Sequence, residues 1–263
     1  MKRAVKRVLG HGLFASHLDA VALHGAAVVV AFHRVQDADT GDGLTVSMRA
    51  FERFCRFFAA HYNVVPLRHI VERIERRMPL RRELAITFDD GYLDNYENAA
   101  PLLERMGLPA TFFVVSRWIG TDVVPPWDQR HGLRLPWMEW RHIQSLYRRG
   151  FDIGAHTRTH VDLGVASEAV ARDEIVGARR DLEARLAAPV DLFAYPYGGP
   201  RHIAAANRDI VRGAGFRCCC SCFGGVLDSA ADPFHLARVP ISPWYASPQQ
   251  FGLEVAFGST VQA

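Results

Sequence analysis

The chain alternates short apolar runs with longer segments in which apolar residues recur at helical spacing. Several of the short runs are continuously apolar, as is expected of strands that are buried on both faces. The pattern predicts seven strands: Ala26–Phe32, Leu84–Phe88, Ala110–Val115, Phe151–Ala155, Leu192–Tyr195, Phe216–Cys220 and Ala237–Pro240. Strands that alternate with helices are typical of α/β proteins with a parallel sheet.

The longer segments have recognisable helix ends. Ser47 and Ser167 stand where a hydroxyl group can cap a helix N-terminus, and glycines follow the last turn of three helices. The predicted helices are those after Ser47 and Ser167, and Asn95–Met106, Trp137–Arg149 and His202–Arg212. The sheet is either closed, as a distorted (β/α) barrel of about seven parallel strands, or open and doubly wound. In both arrangements, active residues gather at the C-terminal ends of the strands.

Composition adds few constraints. The 263 residues, 49% of them hydrophobic and 22% charged, fit one large α/β domain. A net charge of +3 is too small to indicate a nucleic-acid partner. We divide the chain into an amphipathic N-terminal lead-in, residues 1–25, and a single catalytic domain, residues 26–263.

The N-terminal region begins with a basic cluster and continues into the apolar run 20–32. This run has 13 residues, whereas a membrane span needs roughly 20, and it lacks the arrangement of a signal peptide. Four of the five cysteines lie at 218–222, and free thiols at this density are typical of a reducing compartment. We therefore expect a cytoplasmic protein, with weak peripheral contact between its basic N-terminus and the inner membrane face.

Candidate chemistry lies at the strand ends. They read FHRV (32–35), TFDDG (87–91), AHTRTH (155–160), AYPYG (194–198) and ARVPI (237–241). Because the ends of parallel strands meet at one rim, the following side chains are expected to lie close together: His33, Asp89, Asp90, His156 and His160.

Two histidines on this rim are four residues apart. On a helical turn, His156 and His160 would present both imidazoles on one side. One carboxylate added to them makes a set that suits catalytic zinc or a similar divalent ion. The adjacent aspartates then have separate tasks: one binds the ion and the other faces a water molecule, while the cation offsets their repulsion. Gly91 allows the sharp turn that follows.

These motifs together resemble those of the polysaccharide deacetylase family, which contains the NodB-homology domain and is also called carbohydrate esterase family 4. TFDDG is similar to its first motif, HTRTH to its second and FAYPYGG (193–199) to its third. The resemblance covers roughly residues 26–241. It implies a distorted (β/α) barrel and metal-dependent removal of N-acetyl groups from an amino sugar or glycan, with Zn²⁺ as the expected ion.

The resemblance also implies a role for each matching residue. Asp89 would be the general base, and Asp90, His156 and His160 would hold the metal. Tyr197 would offer its backbone N–H to the oxygen that becomes negative in the tetrahedral intermediate.

The sequence departs from the family pattern at two places. The third motif usually carries an arginine where this chain has Ala194. Arg238 of the neighbouring strand is our candidate to supply the missing positive charge. The alternative is that Arg238 is a surface or sheet-edge arginine. The late Leu-x-x-His motif that supplies the general acid is not evident. His33 is our candidate for the general acid or for a substrate contact. The alternative is that His33 is purely structural. His235 is less well placed for the role of general acid.

The loop 123–132 follows the third strand. Trp127 is a candidate to stack on a sugar face, and Asp128 to bind a hydroxyl group or to position His160. The alternative is a loop folded onto its own tryptophan.

Three functions follow from these residues. The first is a metal-dependent carbohydrate N-deacetylase acting on an N-acetylated sugar, polymeric or nucleotide- or lipid-linked. The second keeps the metal but acts on a small or cyclic amide. The third is a non-catalytic glycan-binding or assembly domain.

Overall fold

The structure, a computed structural model, describes residues 3–38 and 40–258. Its strands are β1 Ala27–Phe32, β2 Arg34–Val35, β3 Thr45–Val46, β4 Asn63–Val64, β5 Glu83–Phe88, β6 Ala110–Val114, β7 Asp152–Ala155, β8 Leu192–Ala194, β9 Cys218–Cys220 and β10 Val239–Pro240. The seven predicted strands correspond to β1 and β5–β10, with ends that differ by at most two residues.

Parallel strands build one curved sheet in the order β10-β1-β5-β6-β7-β8-β9, and β4 pairs with the start of β5. The sheet curls until its two edges approach each other. Leu236 forms a parallel bridge with Cys220 of β9, and three residues later Val239 of β10 pairs with Val30 of β1. The closed alternative, a distorted (β/α) barrel, is therefore confirmed.

The helices are α1 Arg3–Ala15, α2 Asp19–Ala22, α3 Met48–His61, α4 Leu67–Glu75, α5 Ala100–Arg105, α6 Pro126–Arg130, α7 Trp140–Arg148, α8 Glu168–Leu186, α9 Ala205–Gly213 and α10 Pro248–Ala256. Both predicted serine caps are confirmed: Ser47 accepts from the amide of Ala50 at 3.2 Å and Ser167 from that of Val170 at 3.4 Å.

Two helices begin later than predicted. The helix predicted from Trp137 begins at Trp140, because Glu139 and His142 form a reciprocal capping box at its start. The helix predicted from His202 begins at Ala205, after a 3₁₀ turn, Pro200–His202. The helix predicted from Asn95 is present, but its first part, Asn95–Ala99, has π-helical geometry before α5.

Strands β1, β5, β6, β8 and β9 are buried on both faces. Phe32, Phe88 and Phe112 stack in a row on the face toward the helices, with ring centroids 5.5 and 4.8 Å apart. The opposite face carries both small and large residues, such as Ala85, Ala194 and Phe113. This alternation explains the cysteine cluster, since Cys219 lies in the outer core and its neighbours in β9 face the interior.

Helix α1 packs against α10 near the other end of the chain. Lys6 pairs with the buried Glu254 at 2.9 Å, and Gly10 approaches the backbone of Gln249 so closely that a side chain would collide with it. None of the described helices has the length and apolarity required to cross a bilayer. The domain boundary at residue 25 and the membrane-surface contact stay predictions.

Candidate active site

Asp89 and Asp90 lie directly after β5, where the chain turns across the barrel rim. The amide of Asp89 still donates to the carbonyl of Phe32, at 2.9 Å, whereas Asp90 and Gly91 have φ angles of +73° and +97°. A Cβ on Gly91 would lie 3.2 Å from Val114. This close approach and the left-handed backbone explain why glycine follows the aspartate pair.

The two histidines reach the rim by a different route from the predicted one. His156 and His160 follow β7 in an irregular loop, not on a helical turn. Thr157 and His160 both have left-handed backbones, with φ of +62° and +59°. The amide of His160 donates to Thr157 Oγ1 at 3.0 Å, which closes the loop. Left-handed conformations are costly for residues other than glycine, so this loop is held in place by its surroundings.

Three candidate ligand atoms converge at the centre of the rim. Asp90 Oδ1 lies 3.5 Å from His156 Nε2 and 3.3 Å from His160 Nε2, and all three atoms lie within 4.8 Å of one another. Asp90 Oδ1 is buried and has no hydrogen-bond partner among the described residues. A carboxylate oxygen and two imidazole nitrogens facing one point are the donors that a catalytic zinc site uses, so these residues fit a divalent ion.

The surroundings of His156 favour this use. His156 Nδ1 lies 2.8 Å from the carbonyl oxygen of Ala194, to which it donates, and this leaves Nε2 free to bind an ion. The ring of His160 lies among Trp118, Trp127 and Tyr197, with centroids 5.4, 4.8 and 4.8 Å away.

Burial and charge act against each other at this cluster. Burial alone would raise the pKa of Asp90, but the imidazoles of His156 and His160 close to its carboxylate hold that pKa well below the usual range. Burial lowers the pKa of His160. Burial also opposes the charged form of His156, yet the carboxylates of Asp89 and Asp90 raise the pKa of that imidazole.

Arg238 holds Asp89 in a fixed orientation. Its Nη1 donates to Oδ1 and its Nη2 to Oδ2, both at 2.7 Å, and its Nε donates to the carbonyl of Ser221 at 2.7 Å. Burial would raise the pKa of Asp89, but the charge and hydrogen bonds of Arg238 bring it below its ordinary value. Asp89 is therefore ionised at neutral pH and can accept a proton. The arginine absent at Ala194 thus has a counterpart in Arg238, the residue that precedes β10.

Cys222 lies beside Asp89 and Arg238. From the sequence, we interpret the cysteine cluster only as packing residues of a buried strand. The sulfur of Cys222 lies 3.1 Å from Arg238 Nη2 and 3.8 Å from Asp89 Oδ2. Burial raises the pKa of this thiol to about 12, so it is protonated beside the carboxylate. Its position just past the end of β9 is the signal that distinguishes it from the other cysteines.

Tyr197 lies on the turn that follows β8. Its φ is +60°, and its amide donates to no acceptor among the described residues. A Cβ on the next residue, Gly198, would lie 2.5 Å from the amide nitrogen of Cys222. The Tyr197 N–H is therefore available to a ligand on the rim.

A cavity of about 750 Å³ is lined by the two aspartates, the two histidines, Tyr197 and Cys222, together with His33 and Trp127. The backbone of His33 is held by Asn95, whose amide donates to its carbonyl at 2.9 Å. The charge of His33 contributes to lowering the pKa of both Asp89 and Asp90. Trp127 is half-buried at the rim and donates its Nε1–H to the hydroxyl of Tyr92 at 2.9 Å.

Asp128 does not lie where we expected it. The structure buries it completely, with Oδ1 accepting from Arg34 Nη1 at 2.7 Å and Oδ2 from the hydroxyl of Tyr92 at 2.8 Å. It reaches neither the cavity nor His160, because both oxygens are bound beneath α6. The expectation of a substrate contact is replaced by a structural role, in which Asp128 ties the loop to Arg34 and Tyr92.

The polysaccharide deacetylase family profile matches residues 77–219, more than half of the chain. This chain belongs to the polysaccharide deacetylase family. A Bacillus subtilis protein whose name assigns it to the polysaccharide deacetylases is 23% identical over 172 residues, which are 65% of this chain and 56% of that protein. The Escherichia coli poly-β-1,6-N-acetyl-D-glucosamine N-deacetylase is 29% identical over 141 residues, which are 51% of this chain and 21% of the relative. Thus the similar region spans little more than half of the first relative and about a fifth of the second.

Solved structures of other proteins share the fold. The Streptococcus pyogenes deacetylase PplD, in complex with acetate, has a TM-score of 0.74 at 19% identity, with 89% of this chain and 99% of that chain covered. IcaB from Ammonifex degensii has a TM-score of 0.73 at 22% identity, with 88% and 97% covered. At these identities the likeness establishes the polysaccharide deacetylase barrel only.

Proposed function

We propose that this polysaccharide deacetylase is a metal-dependent N-deacetylase of amino sugars in a glycan or glycan precursor. The observation that supports it most is the convergence of Asp90, His156 and His160 beside the ionised Asp89, in a cavity of about 750 Å³. The name of the Escherichia coli relative, an N-deacetylase of poly-β-1,6-N-acetyl-D-glucosamine, supports an N-acetylglucosamine unit as substrate.

Asp90, His156 and His160 would hold the divalent ion, for which we propose Zn²⁺. When bound, such an ion supplies a Lewis acid that polarises the acetyl carbonyl and lowers the pKa of water.

The other steps use this chain's own groups. Asp89 accepts a proton from the attacking water, and the fork of Arg238 keeps its carboxylate oriented and ionised. The Tyr197 N–H donates to the carbonyl oxygen as negative charge develops on it, an interaction whose loss typically costs about 10²–10³ in rate. His33, across the cavity, is the proposed donor of a proton to the departing nitrogen. Trp127 would stack on a sugar face.

The shape of the rim favours a saccharide over a small cyclic amide. Tyr197 is 47% exposed and Trp127 is partly exposed, so the cavity opens beside two aromatic rings. A small-amide hydrolase would instead enclose its substrate. The complete ligand set and the preserved base argue against a non-catalytic domain.

The test measures metal content together with acetate release from N-acetylated saccharides. We expect Asp89→Asn to keep its metal and to lose about 10²–10⁴-fold in turnover, since general bases contribute that much. His156→Ala should lose both metal and turnover. Asp122→Asn, an exposed position on the loop after β6, is the control and should match the parent.

Parent-like turnover by Asp89→Asn would remove this residue as the base. A parent that binds metal yet releases acetate from no N-acetylated sugar would overturn the proposed function.

A further inference from the structure

Two arginines on the cavity wall have no role in the deacetylation chemistry. Arg130 and Arg201 both line the cavity that contains Asp89 and Asp90. Both are exposed, and in the described part of the chain neither forms an ion pair with a carboxylate. Unpaired guanidinium groups beside a substrate cavity are free to bind an anion.

Arg201 is held in place by a chain of hydrogen bonds. Its Nε–H donates to His202 Nε2 at 3.1 Å. Because that nitrogen accepts, Nδ1 carries the proton and donates to Asp162 Oδ2 at 2.8 Å. The other oxygen of Asp162 accepts from the amide of Gly164 at 2.8 Å. Only Nε of Arg201 is used, so both Nη groups remain available to a ligand.

Arg130 approaches the cavity from a separate element. It is the last residue of α6, and this helix is anchored by the buried Asp128. The ring of Tyr197 lies between the two sides of the cavity. Its centroid is 6.2 Å from that of Trp127 in α6, the helix that carries Arg130, and 5.0 Å from that of His202, the neighbour of Arg201.

The charges lining the cavity do not balance. Asp89 and Asp90 are its only acidic groups among the described residues. Asp89 is neutralised by Arg238, and Asp90 belongs to the candidate metal site. The two free arginines add positive charge, which attracts anionic substrates and repels cationic ones.

We propose that Arg130 and Arg201 form an anion subsite, so that the preferred substrate is an N-acetylated sugar with a phosphate or carboxylate group near the reacting unit. Arginine suits both groups, because its planar fork donates two parallel hydrogen bonds to either. This inference rests on the proposed deacetylase function and narrows its substrate class. The amine product of a neighbouring unit is positively charged, so the same subsite disfavours glycans that are already deacetylated.

The experiment compares three N-acetylated substrates with the metal-loaded enzyme. A chitin tetrasaccharide is neutral, a hyaluronan tetrasaccharide carries carboxylates, and UDP-N-acetylglucosamine carries a diphosphate. We expect kcat/KM to be at least about tenfold higher for one of the anionic substrates, and the preferred one identifies the source of the charge. The preference should shrink as salt rises, because the arginines are exposed.

Variants assign the preference to the arginines. Arg130→Gln and Arg201→Gln should each lower the ratio of anionic to neutral kcat/KM by about tenfold. His202→Ala should lower it by a smaller factor, because it releases Arg201 from its anchor. Arg134→Gln is the matched control, because Arg134 is an exposed arginine four residues after Arg130 that does not line the cavity. An equal kcat/KM for the three substrates, or a ratio unchanged in both glutamine variants, would overturn the proposal.

Calorimetry with UDP-N-acetylglucosamine and the hyaluronan tetrasaccharide separates this inference from the proposed function. If no substrate releases acetate, Arg130- and Arg201-dependent binding of an anionic saccharide would still support the subsite. Absence of binding by the parent would overturn it.

Discussion

Two completely buried arginines, Arg34 and Arg238, bind aspartates in contrasting ways. Arg238 directs both of its Nη groups to one carboxylate, Asp89, which opens onto the cavity. Arg34 divides its Nη groups between Asp42 and Asp128, which lie outside the cavity. Arg238 therefore orients a single reactive group, whereas Arg34 joins its own segment to those of Asp42 and Asp128 beneath the loop 123–132.

The difference shows that the burial of an ion pair does not by itself indicate whether the pair serves stability or catalysis. Removing one partner of such a pair leaves an uncompensated buried charge, typically at a cost of about 3–5 kcal/mol. At Arg34 this cost would fall on the fold alone. At Arg238 it would also fall on the reaction, because the arginine lowers the pKa of Asp89.

The largest effect on stability is expected from Arg34→Met. Two buried carboxylates, Asp42 and Asp128, lose their guanidinium, so the free energy of unfolding should fall by about 3–5 kcal/mol in urea titrations. Arg56→Met is the control, because the pair of Arg56 with Glu52 is exposed and should contribute less than about 1 kcal/mol. A loss of similar size in both variants would contradict the structural role given to Arg34.

Substitution of Arg238 is expected to change the pH dependence of kcat/KM. Arg238 lowers the pKa of Asp89, so Arg238→Met should raise it, and the acid limb of kcat/KM should move up by about 1–2 pH units, or roughly 1.4–2.7 kcal/mol. Activity is then lost at low pH and recovers as pH rises and Asp89 ionises. Arg238→Lys keeps the charge but not the fork, so it should restore part of the shift. If kcat/KM fell by the same factor at every pH, Arg238 would only support the fold.

The sequence predicts the barrel and most of its rim, because both follow from local patterns. Continuous apolar runs place the strands within two residues of their ends. Since parallel strands end at one rim, the residues after them must meet there, which is why Asp90 and His160 converge from different motifs.

What the sequence does not predict depends on long-range contacts. Asp128 is 94 residues from Arg34, and nothing near it in the chain indicates that this partner will bury it. The spacing of His156 and His160 suits a helical turn equally well, and only the surrounding structure selects the left-handed backbone at Thr157. Arg238, 149 residues from Asp89, is suggested only because Ala194 leaves a charge unaccounted for.

The smallest effect is expected at Tyr92, which connects the Arg34 group to the rim. Its hydroxyl donates to Asp128 at 2.8 Å and accepts from Trp127 Nε1 at 2.9 Å. Tyr92→Phe should lower the free energy of unfolding by about 1.5 kcal/mol, since a buried carboxylate loses one hydrogen bond but keeps its arginine.

Tyr96→Phe is the matched control for this change, because the hydroxyl of Tyr96 donates to a neutral group, Ser145 Oγ, over a long 3.3 Å. In Tyr92→Phe the acid limb of kcat/KM should stay in place, because the hydroxyl does not bond to Asp89. KM should rise if Trp127 stacks on the sugar, since its indole loses the group that orients it. A shift of the acid limb in Tyr92→Phe would mean that the Arg34 group and the Arg238 pair are coupled, and the contrast between the two arginines would then fail.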